Sequence, residues 1–380
     1  MIWNDVRRRT QCRSETVRPF PTDLPELTSI RAIAATMVIL FHFYAMPDAV
    51  SAGGRLVAAG GLGVDLFFML SGLILTHVYW RDWQNGRFAY DAFLVRRLAR
   101  LYPVHLTTLL GFVALYTSAR AIGVESSFEG ENWSVFWVHV LGLHAWGLTD
   151  GAAWNHPSWS ISAEIFAYLG FPLWLLAAAR LGTRMFLLVT VLVFLAVGAA
   201  LEVTGVELTG LTHNFGILRV AVEFGLGVGI YLFLLDRAPQ PDAGRRTLMA
   251  LASAVLATFA GLPEFLVVGL LGAMLAFLAD AARQDGVTLL RVPALQYLGR
   301  ISYSTYMVHI AFVIVGGVLI EKAGLSHAAE GMGVLVLVVA IHIAAALMHE
   351  LVERPCQRAV LRILAPRSAR PKIASQTEAA

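Results

Sequence analysis

The chain has 380 residues, of which 57% are hydrophobic and only 14% charged, with a formal net charge of +3. This balance excludes an ordinary soluble globular protein and a disordered one. Its arginines gather at the ends of apolar runs and in the tails, which fits orientation against anionic lipid and not nucleic-acid binding.

Uncharged runs of membrane-crossing length recur, such as 185–201 and 331–349, without strand-like alternation. The predicted fold class is therefore an all-α polytopic membrane protein. Residues 1–26 form a basic tail with Arg7, Arg8, Arg9, Arg13 and Arg18, placed in the cytosol by the positive-inside rule. The first span, 27–46, runs outward as an uncleaved anchor. Span 60–80 returns before Arg81 and Arg87. Span 98–116 follows Arg96, Arg97 and Arg100 and runs outward to Glu125, Glu129 and Glu131. Segment 133–148 is short, and counting it as a crossing would put Arg180, Arg184 and the later Arg-rich loops outside. It is expected to be re-entrant or to lie at the outer face.

Spans 158–178, 185–201, 213–234, 247–261, 264–281, 301–320 and 331–349 bring the expected total to about ten transmembrane helices, with the N-terminus and C-terminus both cytosolic. The expected domains are the basic tail 1–26, a membrane domain 27–355 and a cytosolic tail 356–380 that is disordered. Cys12 and Cys356 then both face the cytosol, so neither is read as a disulfide partner or metal ligand.

Arg31 and His42 are eleven residues apart, about three helical turns, and so share one face of the first span. An ionisable pair on one stripe of a membrane helix points to a protein interior or wet cavity. Arg96, Arg97 and Arg100 admit two readings: topology signals, or guanidiniums that with Arg31 hold a phosphorylated cosubstrate from the cytosol. Asp65 lies inside a span and needs a partner or water. Beyond it, Ser71 and Gly72 remove bulk at mid-membrane, for a neighbouring helix or for a ligand chain.

Pro157 suits a first helical turn, which puts Glu164 about two turns deep, near the level of His42. A carboxylate there can fix the tautomer of His42 and make it a general base. Trp159 and Ser160 precede it. Arg219 and Glu223, at i and i+4, are expected to pair with each other. Tyr303, Tyr306 and His309 share a broad helix face that can line a polar cavity. No histidine spacing matches a metal motif, so no metal site is predicted.

Taken in order, Arg31-x10-His42, Phe67-Phe68-Met69-Leu70-Ser71-Gly72, Arg96-x3-Arg100, Trp159-Ser160-Ile161-Ser162-Ala163-Glu164, Ser302-Tyr303-x2-Tyr306-x2-His309 and Glu353-Arg354-Pro355 resemble the acyltransferase-3 family of integral membrane O-acyltransferases. The resemblance runs from Arg31 to Pro355. It departs from the family at Leu73, where an aromatic often follows Ser-Gly.

What the resemblance implies is transfer of an acyl group, commonly acetyl, from cytosolic acyl-CoA to a hydroxyl on a carbohydrate, lipid or small-molecule acceptor, in a bacterial inner membrane. Acyl-CoA would be a cosubstrate, with no permanently bound cofactor. His42 would be the general base, oriented by Glu164 or Asp65. Arg31, Arg96, Arg97 and Arg100 would hold the CoA phosphates, with the pantetheine arm passing Ser71 and Gly72. Trp159, Ser160, Tyr303, Tyr306 and His309 would line the acceptor or acyl pocket. The alternative is a secondary transporter or lipid flippase using the same intramembrane Arg, His and Glu residues. Such a protein would normally show two related halves with interrupted spans, and the sequence shows none.

Overall fold

The computed structural model describes residues 20–44, 54–123, 130–284, 288–324 and 326–364. The tail arginines up to Arg18, Cys12, Glu125, Glu129 and the residues after 364 lie outside these described residues. Among the described residues the regular structure is entirely helical. Helices of eight residues or more are α1 (Pro25–Tyr44), α2 (Gly63–Gln84), α3 (Tyr90–Ala121), α4 (Trp159–Leu181), α5 (Thr183–Val203), α6 (Gly216–Leu235), α7 (Ala243–Ala260), α8 (Glu264–Ala282), α9 (Pro293–Arg300), α10 (Ser302–Ala323), α11 (His327–Met348) and α12 (Arg354–Leu364).

Nine helical runs among the described residues are long and apolar enough to cross a membrane. The protein is thus an all-α polytopic membrane protein. Of the expected spans, α7 falls short of that criterion. Arg245 and Arg246 occupy its first turn, which leaves roughly 21 Å of apolar rise from Thr247 to Ala260, against a hydrocarbon core of about 30 Å. It packs along α8 as the second arm of a hairpin, with Gly261 in the left-handed conformation that a tight turn requires.

Segment 130–158 does not build a crossing helix. It holds a 3-10 turn, Trp133–Val135, running into one short α-helix, Phe136–Val140, followed by turns up to a second 3-10 turn, His156–Ser158. The segment is pinned by Trp154, whose indole N–H donates to the Asn132 carbonyl at 3.0 Å, and by the Ala145 N–H donating to Ser162 Oγ at 2.9 Å.

The centre of the bundle is the seam between α2 and α6. A Cβ on Gly72 would collide with the Phe224 carbonyl, and one on Gly227 with the Met69 carbonyl. Two helices that each present a glycine approach backbone to backbone, and the dispersion contacts between them hold the seam where lipid offers no hydrophobic drive. Accordingly α6 is the most enclosed span and the α11–α12 run the least. The chain passes from α11 to α12 through a π-helical turn, His349–Glu353. Its extra residue rotates Glu353 inward, where Oε2 accepts from Ser304 Oγ at 2.7 Å and lies 3.0 Å from His349 Nδ1.

Candidate active site

Helices α1, α2, α3, α4 and α10 line a partly open cavity. Arg31 comes from α1, Ser71 from α2, Arg97 and Arg100 from α3, Ser160 and Glu164 from α4, and Tyr303 and Tyr306 from α10. The lining carries three guanidiniums against the single carboxylate of Glu164. That carboxylate is already engaged: its Oε1 accepts from Ser71 Oγ at 2.8 Å and from Tyr168 OH at 2.6 Å. Arg31 and Arg100 make no hydrogen bond or ion pair with another side chain among the described residues. The buried Arg97 leans on the Tyr79 ring at 5.8 Å, and its Nε has no hydrogen-bond partner. Permanently charged forks around a cavity, two of them without a side-chain partner among the described residues and Arg97 held by Tyr79, are suited to a phosphate-bearing ligand.

Several expected site residues fall elsewhere. Arg96 is not on the lining; its Nε donates to Tyr79 OH at 3.2 Å, and Arg97 and Arg100 are the pair that line the cavity, three residues apart. Gly72 faces α6 and serves the helix seam, while its neighbour Ser71 faces the cavity. Asp65 is held by Arg219 in a two-pronged pair, Nε to Oδ1 at 2.8 Å and Nη2 to Oδ2 at 2.7 Å. The expected i,i+4 ion pair of Arg219 with Glu223 is also present, Oε1 standing 3.7 Å from Nε, and Asp65 is the closer partner that the sequence did not show. The close approach of α2 and α6 at their glycines puts Asp65 within reach. Trp159 lies against this group, its ring 5.1 Å from the Arg219 guanidinium, and does not line the large cavity.

The cavity ends at Phe67 and Tyr306, whose rings are 6.4 Å apart. Tyr306 OH donates to the Pro157 carbonyl at 2.9 Å, and Tyr303 OH to the Leu101 carbonyl at 2.6 Å. One turn beyond Tyr306 stands the fully buried His309, with ring centroids 5.6 Å apart. His42 is the next ring, 4.8 Å from His309. It therefore lies one ring layer past the cavity and is not on its lining.

Hydrogen bonds define the tautomers in this layer. His309 Nδ1 is 2.6 Å from the Tyr306 carbonyl and His42 Nδ1 is 2.8 Å from the Val38 carbonyl. A carbonyl accepts only from N–H, so both rings carry their proton on Nδ1. His309 Nε2, 3.3 Å from His42 Nδ1, then presents a lone pair to the same N–H. His42 Nε2 is left unprotonated and without a partner among the described residues. Val38 and His309 thus occupy the orienting position expected of Glu164 or Asp65.

Two residues of the site were not singled out from the sequence. Tyr168, a turn after Glu164, lines the cavity, and its i,i+4 spacing from the carboxylate was the available signal. Glu353 was noted only within Glu353-Arg354-Pro355; it supplies negative charge within electrostatic reach of Arg31 and Arg100. Its inward turn depends on the π-helical residue, which no periodicity reveals.

The fold and site define a polytopic membrane protein with a cationic cavity between its helices and an imidazole beyond it. The chain matches the acyltransferase-3 family, described as an acyltransferase domain, over residues 24–349, and it belongs to that family. It is 28% identical to the acyltransferase MdmB of Streptomyces mycarofaciens, over 88% of this chain and 92% of that protein. It is 29% identical to protein 2 of the picA locus of Rhizobium radiobacter, over 48% of this chain and 94% of that one. The peptidoglycan O-acetyltransferase OatA of Listeria monocytogenes is 26% identical over 40% of this chain and 24% of its own length. No solved structure matches. The protein is a membrane-bound acyltransferase.

Proposed function

We propose that the protein transfers an acyl group, acetyl being the simplest, from cytosolic acyl-CoA to a hydroxyl of a carbohydrate or other envelope acceptor in a bacterial inner membrane. The observation that carries this reading is the pairing of a cavity lined by three arginines and one carboxylate with a His42 Nε2 one ring layer beyond it that has no partner among the described residues. The bundle crosses about ten times with both termini cytosolic, α7 reaching the cytosolic surface through its snorkelling Arg245 and Arg246.

Arg31, Arg97 and Arg100 bind the CoA phosphates. The acyl end of the cosubstrate passes Ser71 and Tyr306 to reach the histidine layer. His42 Nε2 takes the acceptor's hydroxyl proton as its oxygen attacks the thioester carbonyl carbon. The carbon–sulfur bond then breaks, the thiolate leaves as CoA after taking the proton from the imidazolium, and the acceptor leaves as an ester. While His42 is charged, its Nδ1–H stays held by the Val38 carbonyl and the His309 lone pair, so His309 is a positioning residue. Glu164, tied to Ser71 and Tyr168, sets the charge of the binding cavity. Asp65 stabilises the bundle.

The test is release of CoA from acetyl-CoA by the purified protein in detergent, followed by thiol titration. Acceptor-stimulated release is expected. A transporter or flippase would release none.

A further inference from the structure

An aromatic pair separates the cationic cavity from His42. Phe67 of α2 and Tyr306 of α10 line the cavity where it stops short of His309, with ring centroids 6.4 Å apart and planes at 68°. That spacing is ordinary contact between two rings. An acyl carbon passing between them would need about 3.5–4 Å to the ring carbons on each side, so one of the two has to move before a thioester can cross.

The two rings are held differently. Tyr306 is 6% exposed, its OH donates to the Pro157 carbonyl at 2.9 Å, and its ring rests against the sealed His309 with centroids 5.6 Å apart. Swinging it aside would orphan a buried hydroxyl. Phe67 is half-buried and its ring has no polar atom, so it turns to another rotamer without losing a hydrogen bond. The surroundings on either side of the pair differ as well. Before it, the cavity offers apolar walls at Phe68, Ile74, Leu101 and Ile161. Behind it the groups are polar and sealed: His309 is 0% exposed, and Asn155, 1% exposed, donates from Nδ2 to the Met307 carbonyl at 3.0 Å.

We infer that Phe67 and Tyr306 form a filter on the acyl group, Tyr306 the fixed side and Phe67 the ring that turns, and that the filter selects acetyl-CoA over longer acyl-CoAs as donor; the inference rests on the acyl-transfer reading. The acyl end leads, so every carbon beyond the carbonyl has to cross the pair before the carbonyl meets His42. Acetyl carries a single methyl across, whereas butyryl carries a propyl chain and hexanoyl a pentyl chain. The hydrophobic effect keeps such chains against the apolar walls on the near side, with the thioester short of the imidazole. Longer acyl-CoAs therefore bind but turn over slowly, and the selection falls on kcat and not on KM.

The experiment is steady-state release of CoA from acetyl-, butyryl- and hexanoyl-CoA by the purified full chain in detergent, with glycerol supplying the hydroxyl, for the parent, Phe67→Ala and Phe67→Leu. In the parent, kcat for butyryl-CoA is expected to lie at least about tenfold below that for acetyl-CoA, with KM no higher, since one methylene against a fitted wall is discriminated about tenfold to two-hundredfold. In Phe67→Ala the two kcat values are expected to come within about threefold of each other, and Phe67→Leu to fall between parent and Phe67→Ala. Turnover of acetyl-CoA reports that each variant is folded, and Phe67→Leu decides if Phe67→Ala is not. Equal kcat for acetyl- and butyryl-CoA in the parent would overturn the inference, as would a parental ratio in the folded variants or a discrimination carried by KM alone. No release from acetyl-CoA by the parent would instead remove the acyl-transfer reading, and the filter with it.

Discussion

Replacing Asp65 by Asn keeps its volume and removes its charge, which leaves the Arg219 guanidinium buried between a neutral amide and Glu223. Both members of the native pair are sealed from solvent, at 0% and 3% side-chain exposure, and are joined by two bonds of 2.8 Å and 2.7 Å. Breaking a buried pair by removing one partner costs about 3–5 kcal/mol, because an uncompensated charge stays behind. Glu223, 3.7 Å from Arg219 Nε, recovers part of this, so a loss near the lower end, about 3 kcal/mol, is expected. Equilibrium unfolding in mixed micelles measures it. Adding Arg219→Met should return most of the loss, since a buried pair exchanged for apolar groups is often nearly neutral. Turnover per folded molecule should be unaffected in Asp65→Asn. A variant as stable as the parent but without turnover would refute the structural assignment and put Asp65 into the chemistry.

Gly72→Leu should destabilise the α2–α6 seam by about 1–3 kcal/mol or more in the same unfolding assay, because its side chain meets the Phe224 carbonyl. Arg97→Gln should raise the KM for acetyl-CoA about tenfold to a hundredfold, the worth of a charge-assisted hydrogen bond, whereas Arg96→Gln, outside the cavity, should change it less than about threefold. Folding holds His139 near 4, below an unfolded value of about 6.5, so the unfolded chain binds more protons between those limits. Its contribution to stability is complete above pH ~6.5 and falls as the pH drops toward ~4, so the parent should lose more stability than His139→Asn between pH 7.5 and 5. Equal losses in both would contradict this.

What could be read from the sequence was what helical periodicity carries. The eleven-residue interval put Arg31 and His42 on one face of α1; Arg31 lines the cavity with Tyr303 of α10, and His42 stacks on His309 of the same helix. The short 133–148 segment, removed from the crossings by the sign of later loops, forms no crossing helix. Contacts between distant helices could not be read that way. Which of Arg96 and Arg97 turns inward depends on where Tyr79 packs, and the partner of Asp65 lies 154 residues away on α6. Glu164 seemed level with His42, yet it is tied to Ser71 across 93 residues and to Tyr168. His139 ends a five-residue helix and His144 sits in the turn after it, so no helical period relates the two side chains.

The account stands or falls on the free nitrogen of His42. Single-turnover transfer from radiolabelled acetyl-CoA by His42→Ala, alongside CoA binding by the same sample, tests it most directly. The predicted result is a loss of about 10²-fold to 10⁴-fold in transfer with CoA binding retained, the usual worth of a positioned general base. Transfer at the parental rate by the folded variant would contradict the account.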